Sequence, residues 1–320
     1  MNGTLADTWR YGETFPFLER LERGMPPAII SLTANGALRG PESSPHIPET
    51  AEETASSVGL AYDAGASMVH LHARDPGLPW HGATDPEHWY ALHQSVRERC
   101  PEIVIMDSTE GDPGMSYDQR TACLAARPEV ASFTLAPEMR RVRIPERESH
   151  PPRPAVDSEE TVDITYSGVE RLAHKLLEAG IKPELELKSA GAVQVVRHLI
   201  DSSLVEAPYL VQTVLGYPTG NYATVQTVLD LLRDLPDNTL WMCLGKGSAQ
   251  LPMTTLALLM GGHVRVGLED NLFLGPGIQG SNAQFVERTA RIAGELGRPV
   301  ATPAETRAML GISLTPTSYP

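Results

Sequence analysis

The stretch Ser67-Met68-Val69-His70-Leu71-His72-Ala73-Arg74-Asp75 is a short apolar run that ends in polar residues, which predicts a buried strand. Side chains alternate between the two faces of a strand, so His70 and His72 point the same way. Two imidazoles on one face of a rigid strand can bind a divalent metal, and zinc is the usual ion for nitrogen ligands. Because such pairs more often make ordinary hydrogen bonds, the metal hypothesis depends on the rest of the chain.

Apolar, β-rich runs alternate with helical stretches along the chain on both sides of this strand. The predicted strands span residues 28–33, 67–75, 103–106, 130–135, 183–187, 209–215, 240–244 and 263–268. Strict alternation of strands and helices predicts a parallel sheet. Eight such units in 320 residues predict an α/β fold of the (β/α)8 TIM barrel type. A Rossmann fold is disfavoured because no G-x-G-x-x-G motif follows the first strand.

The chain is predicted to hold one catalytic domain, the barrel, over residues 28–320, preceded by an N-terminal arm over residues 1–27. No repeat or low-complexity tract suggests a second domain. The arm carries Phe15, Phe17, Leu18 and Leu21, which are expected to pack on the barrel or on a neighbouring subunit.

Residues 136–158 are rich in proline and arginine and lack apolar periodicity, which predicts a long loop. A loop of this length inside a compact domain is often a lid or an interface element. A solvated excursion fits the composition equally well. A helix is predicted to follow over residues 159–179, and another is predicted over residues 117–126.

The composition restricts the partners and the compartment. A net charge of −14 without any basic run argues against nucleic acid. Three cysteines without C-x-x-C spacing fit a reducing compartment rather than a disulfide framework. The N-terminus carries charges throughout and has no apolar run suited to a signal peptide or a membrane span. We therefore expect a cytoplasmic protein that acts on small molecules.

In a (β/α)8 barrel the active site lies at the carboxyl ends of the strands. The last and the second strand are one strand apart around the closed barrel, so Glu269 can complete a metal triangle with His70 and His72. Two histidines and one carboxylate leave open positions for a substrate, as a catalytic metal requires. The other polar strand-end residues are Arg74, Asp75, Asp107, Ser108, Thr109, Glu110, Ser132, Thr134, Glu184, Glu186, Lys188, Arg265, Asp270 and Asn271.

Each of these residues also has a structural interpretation. Arg265 inside a barrel strand is costly unless it pairs with a carboxylate such as Asp270 or binds an anion. Ser108 and Thr134 can satisfy backbone groups, and Glu269 can cap the following helix. Because all of them converge on one end of one barrel, the sequence favours an active site there.

Several motifs resemble the β-keto acid cleavage enzymes, the family of the 3-keto-5-aminohexanoate cleavage enzyme. They are His70–Asp75 (HLHARD), Pro183–Glu186 (PELE), Gly261–Asn271 (GGHVRVGLEDN) and Gly297–Pro303 (GRPVATP). The motif on the last strand is the longest and the most specific. The resemblance covers residues 28–312.

This resemblance implies a zinc enzyme on a (β/α)8 barrel, usually a homotetramer. Such an enzyme converts a β-keto acid and acetyl-CoA into acetoacetate and a new acyl-CoA. The residues implied are the zinc ligands His70, His72 and Glu269, the proton-transfer residues Asp270 and Arg265, and Ser108 and Thr134 for substrate positioning. Glu186, from the fifth-strand motif, is a further candidate for substrate binding.

The sequence departs from the family pattern around the predicted substrate site. Glu110 stands where the family has glycine, residues 136–140 replace Gly-Ser-x-Asn-Phe, and Lys188-Ser189 replaces Phe-Asp. Leu38 stands where members that bind an amino substrate carry glutamate. We therefore expect a substrate other than a simple amino keto acid.

Two alternatives remain open from the sequence. An amidohydrolase-type hydrolase also begins with His-x-His on a barrel strand, and it would use Lys188 as a carboxylated ligand with His198 or His263 and Asp270. A non-catalytic zinc-bound barrel with a decayed site is the second alternative.

Overall fold

The computed structural model describes residues 14–112, 114–148 and 151–319. The strands are β1 (Ile30–Thr33), β2 (Met68–Leu71), β3 (Val104–Asp107), β4 (Val130–Thr134), β5 (Glu138–Ile144), β6 (Val156–Val162), β7 (Lys182–Leu187), β8 (Tyr209–Leu215), β9 (Thr239–Gly245), β10 (His263–Val266), β11 (Phe273–Gly275) and β12 (Ile278–Gln279). Eight of them close a parallel barrel in the order β1-β10-β9-β8-β7-β4-β3-β2. The predicted single-domain (β/α)8 barrel is confirmed.

Apart from the first helix, which precedes β1, the helices follow the barrel strands and cover the outside of the barrel. They are α1 (Thr14–Arg23), α2 (Ala51–Asp63), α3 (Pro86–Arg99), α4 (Tyr117–Arg120), α5 (Tyr166–Ala179), α6 (Ala192–Asp201), α7 (Val225–Asp234), α8 (Gln250–Leu259), α9 (Asn282–Glu295) and α10 (Pro303–Leu310). Short 3-10 turns at Ala122–Ala126 and Gly247–Ala249 complete this layer. No helix in the described part of the chain is both long and apolar enough to span a membrane.

Alternation along the strands separates two apolar cores. Inward residues such as Met68, Val104 and Met242 fill the lower part of the barrel, where their side chains are fully buried. Outward residues such as Val69 and Leu71 pack against the helices in the larger core. Met68 and the two histidines above it share the inward face of β2, so the apolar floor lies beneath the polar strand ends.

The predicted loop at residues 136–158 is instead part of a β-hairpin. Strands β5 and β6 pair antiparallel from Glu138↔Val162 to Ile144↔Val156. The prediction of a helix from residue 159 was therefore wrong, because residues 159–162 belong to β6 and α5 begins at Tyr166. Thr165 sets that boundary, since its side chain accepts a hydrogen bond from the Gly168 amide as the N-cap.

The predicted helix over residues 117–126 is broken into two short pieces, α4 and the 3-10 turn after it. Thr121 lies between them with a non-helical backbone. Its amide and its hydroxyl both donate to the Tyr117 carbonyl at this break.

The predicted N-terminal arm contains one described element, α1. Phe15, Leu18 and Leu21 recur every third residue along it and are 78%, 46% and 47% exposed. Residues 1–13 and the side chain of Phe17 lie outside the described part of the chain. The division between arm and catalytic domain stays a prediction.

Candidate active site

Three side chains predicted to bind a metal meet at the carboxyl end of the barrel. His70 Nε2 and His72 Nε2 are 3.1 Å apart. Glu269 Oε2 lies 3.5 Å from the first and 3.4 Å from the second. A tetrahedral zinc with bonds of about 2.0–2.1 Å holds its ligand atoms about 3.3 Å apart, so the three atoms fit one face of that tetrahedron. Among the described residues, this is the one group of three or more metal-type ligands within such reach.

The protonation of this triangle also suits a cation. Burial, with the positive charge of Arg265, holds the pKa of His70 well below its usual range, so the imidazole is neutral and can offer a lone pair. Burial alone would raise the pKa of Glu269, but the Arg265 guanidinium and the histidines hold it well below its usual range. Two histidine nitrogens and one carboxylate are a donor set that catalytic zinc uses.

Neighbouring residues fix the carboxylate of Glu269. The Thr33 hydroxyl donates to Oε2, and Arg265 Nη2 donates to Oε1 across 2.7 Å. Gly36 lies against the Glu269 side chain with φ +61°, and an added Cβ there would approach Cγ within 2.9 Å. The Asn35-Gly36 turn after β1 therefore leaves the space that this glutamate occupies.

Asp270 lies between two cations. Arg265 Nε donates to its Oδ2 across 2.9 Å, and Lys246 Nζ donates to its Oδ1 across 2.6 Å. The Asp270 side chain is fully buried, whereas that of Lys246 is 24% exposed. Lys246 was not predicted as a site residue, although it lies directly after β9 and the other site residues were predicted from the same strand-end position.

Both glutamates of the fifth barrel strand, β7, point into the barrel. Glu184 Oε2 accepts from Gln212 Nε2 across 3.0 Å, and burial beside Glu186 raises the pKa of Glu184 to about 8. Glu186 Oε2 accepts from the Thr134 hydroxyl across 3.0 Å. Glu186 Oε1 lies 4.0 Å from Arg265 Nη1, so Thr134 and Glu186 reach the Arg265 side of the site.

Ser108 is buried at the end of β3, next to the metal triangle. Its hydroxyl accepts a hydrogen bond from the Glu110 amide across 3.4 Å. Ser108 and His72 line the same small cavity. The structure therefore brings together all eight residues predicted for the site, although their roles stay predictions.

The β5–β6 hairpin covers part of the barrel mouth with a buried ion-pair network. Arg140 of β5 contacts Glu110 and Glu138. Lys188 also contacts Glu110, and its Nζ lies 3.4 Å from Glu138 and 3.7 Å from Glu186. Glu110, Glu138, Arg140 and Lys188 are at positions where the sequence departs from the family pattern, so these departures form one connected wall.

The far end of the hairpin is fastened to the opposite side of the mouth. Arg147 donates to both Glu49 carboxylate oxygens, at 2.5 and 2.8 Å. Arg153 Nη2 donates to Glu42 Oε1 across 3.2 Å. The ring of Trp80 lies 5.7 Å from the Arg147 guanidinium and 5.3 Å from that of Arg153. We call these five residues the latch.

The ligand set of an amidohydrolase is not assembled. Lys188 forms its ion pairs with glutamates outside the metal triangle, such as Glu110. His198 pairs with Glu170 across 2.8 Å on the helical layer. His263 is at the amino end of β10, where its Nδ1 accepts from the Ile29 amide.

The geometry defines a class: a (β/α)8 barrel with a two-histidine, one-carboxylate triangle beside an arginine-bound aspartate. Comparison with known proteins makes this more specific. The sequence model of the BKACE family, beta-keto acid cleavage enzyme, matches residues 27–312. The chain belongs to this family.

Known relatives are similar in sequence to this protein over most of its length. It is 32% identical to the 3-keto-5-aminohexanoate cleavage enzyme of Acetoanaerobium sticklandii, covering 89% of this chain and 98% of that protein. It is also 32% identical to the 3-oxoadipate:acetyl-CoA acetyltransferase of Cupriavidus necator, covering 89% of this chain and 95% of that protein. The solved complex of ObcA with oxaloacetate has the same fold, with a TM-score of 0.66 and 20% identity over 84% of this chain and 68% of that one.

Proposed function

We propose that this protein is a zinc-dependent β-keto acid cleavage enzyme. It condenses a β-keto acid with acetyl-CoA and releases acetoacetate and a new acyl-CoA by a retro-Claisen cleavage. The observation that carries the proposal is the metal triangle of His70, His72 and Glu269 beside Asp270 at the strand ends. The names of the two relatives support the same substrate class and acetyl-CoA as co-substrate.

Zinc bound by His70, His72 and Glu269 would supply Lewis-acid stabilisation of negative charge on the substrate oxygens. Asp270 accepts the proton from C2 of the β-keto acid. Its Oδ1 loses its shorter hydrogen bond for this step when the Lys246 ammonium turns from it toward the developing negative charge, while Arg265 Nη2 stays 3.3 Å from the same oxygen. Arg265 keeps Oδ2 and so holds the carboxylate in place.

The remaining steps balance without another reactant. The C2 carbanion attacks the acetyl carbonyl, and the CoA thiolate leaves. The thiolate then adds to the substrate keto carbon, the C2–C3 bond breaks, and the new acyl-CoA forms. Asp270 returns its proton to C2 of the leaving acetoacetate. Ser108, Thr134 and Glu186 orient the keto acid by hydrogen bonds.

The altered wall of the site suggests that the substrate is not a simple amino keto acid. Glu110 is already neutralised by Lys188 and Arg140, so it offers little attraction to a substrate ammonium group. Activity on 3-keto-5-aminohexanoate well above that on neutral or acidic β-keto acids would contradict this part of the proposal.

We further infer a homo-oligomer, with a tetramer as the expected form, in the cytoplasm. Tyr222, Val225 and Leu229 lie at or near the start of α7 and are 80%, 52% and 41% exposed. With the apolar residues of α1, they give the single chain exposed surface of the kind that subunit contacts bury. The inference is tested by analytical ultracentrifugation of the purified protein. A protein that sediments as a monomer would contradict it.

The function is tested by a coupled assay of zinc-loaded protein with a panel of β-keto acids, with and without acetyl-CoA. Acetoacetate formed only with acetyl-CoA, and lost in His70→Ala and Glu269→Gln, is the expected result. Acetoacetate formed without acetyl-CoA, or none from any β-keto acid, would overturn the proposed reaction.

A further inference from the structure

Arg120, at the end of α4, is a cation beside the active site that has no ion pair with a carboxylate in the described part of the chain. Its aliphatic stem packs on Gly111, where an added Cβ would collide with Arg120 Cγ. The guanidinium Nε is buried and has no hydrogen-bond partner. Within residues 14–112, 114–148 and 151–319, no carboxylate forms an ion pair with Arg120. A buried donor left unpaired costs stability, so its retention points to a ligand.

Three other cations of the mouth differ from Arg120 in this respect. Lys188 and Arg140 are bound to Glu110 and Glu138, and Lys246 is bound to Asp270. A ligand anion would have to displace a protein carboxylate to reach any of these three. Arg120 requires no such exchange.

A small cavity is lined by both Arg120 and His72 of the metal triangle. Its volume is about 20 Å³, and its lining includes Arg120, Gln119, Ser108 and His72. One water needs about 10–15 Å³ by the same measure, so the cavity accepts a single small group such as a carboxylate. A ligand group that enters this cavity from the side of His72 and Ser108 belongs to a molecule that is bound at the metal triangle.

One acidic residue of the cavity, Asp112, already has partners. Its Oδ2 accepts from the Gly82 amide and lies 3.7 Å from His81 Nδ1. Gln119 is likewise occupied, because its side-chain oxygen accepts from the Ser116 amide in a capping box. The Gln119 amide nitrogen is an uncharged donor, so the guanidinium of Arg120 is the charged group of this cavity that is best suited to an anion.

We propose that Arg120 binds a second carboxylate, at the far end of the β-keto acid side chain, so that the preferred substrates are β-keto diacids. This inference rests on the proposed function and names its substrate class. The planar guanidinium donates two parallel hydrogen bonds to a carboxylate, which a neutral side chain cannot accept in the same way. An ammonium-bearing side chain would be repelled.

The test compares two substrates of equal chain length, 3-oxoadipate and 3-oxohexanoate, which differ in the terminal carboxylate. We expect wild type to favour 3-oxoadipate in kcat/KM, and Arg120→Met to lower the ratio of the two kcat/KM values about 10- to 100-fold, as for loss of a charge-assisted hydrogen bond. Arg120→Lys should restore part of the ratio. Arg291→Met, on the exposed outer side of α9, is the matched control and should keep the wild-type ratio.

Calorimetric binding of the same two acids separates this inference from the proposed reaction. Tighter binding of 3-oxoadipate to wild type than to Arg120→Met supports the subsite even if no acetoacetate is formed. Equal preference for both acids in wild type would overturn it. So would an Arg120→Met variant that loses the same factor on both acids while its KM for acetyl-CoA rises, since Arg120 would then serve the CoA phosphates.

Discussion

At the residue scale, Asp270 illustrates how the site controls a proton. Its carboxylate is fully buried, and it accepts hydrogen bonds from Arg265 at both oxygens and from Lys246 at Oδ1. Arg265 is itself buried in a barrel strand and also donates to Glu269, so it ties the proposed base to the metal triangle. Lys246 is the more exposed of the two cations, which places the adjustable contact on the substrate side.

Replacing this carboxylate should remove proton transfer and leave the metal site in place. We expect Asp270→Asn to lower kcat about 10²- to 10⁴-fold, the usual range for loss of a general base. Zinc content, measured by atomic emission, should stay at the wild-type level. Asp230→Asn on the exposed side of α7 is the matched control. An Asp270→Asn enzyme with near wild-type kcat would show that another group takes the proton.

Glu184 gives the barrel a pH-dependent stability. Burial raises its pKa to about 8 from 4.5. Between these values the folded protein keeps a proton that the unfolded chain releases, so stability falls as pH rises through this window. Below pH 4.5 both states are protonated and the effect vanishes.

Glu184→Gln should remove that dependence, because the amide cannot ionise. We compare the free energy of unfolding of the variant with that of wild type. The difference, variant minus wild type, should increase by at least about 1 kcal/mol between pH 5 and pH 8, since each pKa unit corresponds to about 1.4 kcal/mol. Urea titrations at several pH values measure the difference. Parallel pH profiles for the two proteins would mean that Glu184 is already ionised when folded.

At the element scale, the β5–β6 hairpin determines how the mouth of the barrel is covered. Arg140, on its inner face, forms an ion pair with Glu110. Its outer face has exposed ion pairs such as that of Arg141 with Asp157. The latch fastens its far end to the loops after β1 and β2. The hairpin is therefore bound at both ends, by β4 along the chain and by Arg147 in space.

Cutting the latch should loosen the hairpin and spare the barrel. We expect Arg147→Met to increase amide hydrogen exchange in residues 138–162 about tenfold or more, because it removes two hydrogen bonds to a largely buried carboxylate. Exchange in β7 to β9 should not change. Arg143→Met, whose side chain is 67% exposed on the same hairpin, is the control. Unchanged exchange in the hairpin of Arg147→Met would contradict a role for the latch.

At the scale of the whole molecule, the metal triangle joins residues from an early and a late strand of the barrel. His70 and His72 come from β2, and Glu269 follows β10, with β1 between them in the barrel. A metal bound there links elements about 200 residues apart in sequence, so it should stabilise the closed barrel as a ligand of the native state.

Removal of zinc should therefore lower the melting temperature. At a zinc concentration 1,000-fold above Kd, the expected gain is about 4 kcal/mol in the free energy of unfolding. Differential scanning calorimetry of chelator-treated and zinc-loaded protein measures it. His72→Ala should lose the shift, and His174→Ala on the exposed side of α5 should keep it. A shift that persists in His72→Ala would place the metal elsewhere.

The sequence by itself determined the barrel, because eight apolar β-rich runs that alternate with helices favour one closed parallel sheet over an open one. It also determined the metal triangle and Asp270, because side chains at strand ends must converge on one end of such a barrel. The tertiary structure alone decided the β5–β6 hairpin, whose strands are held by ion pairs between distant residues rather than by local apolar periodicity. It alone showed that Lys246 is bound to Asp270 and that Arg120 is not bound to any described carboxylate, since the partner of a charge depends on which loops meet in space.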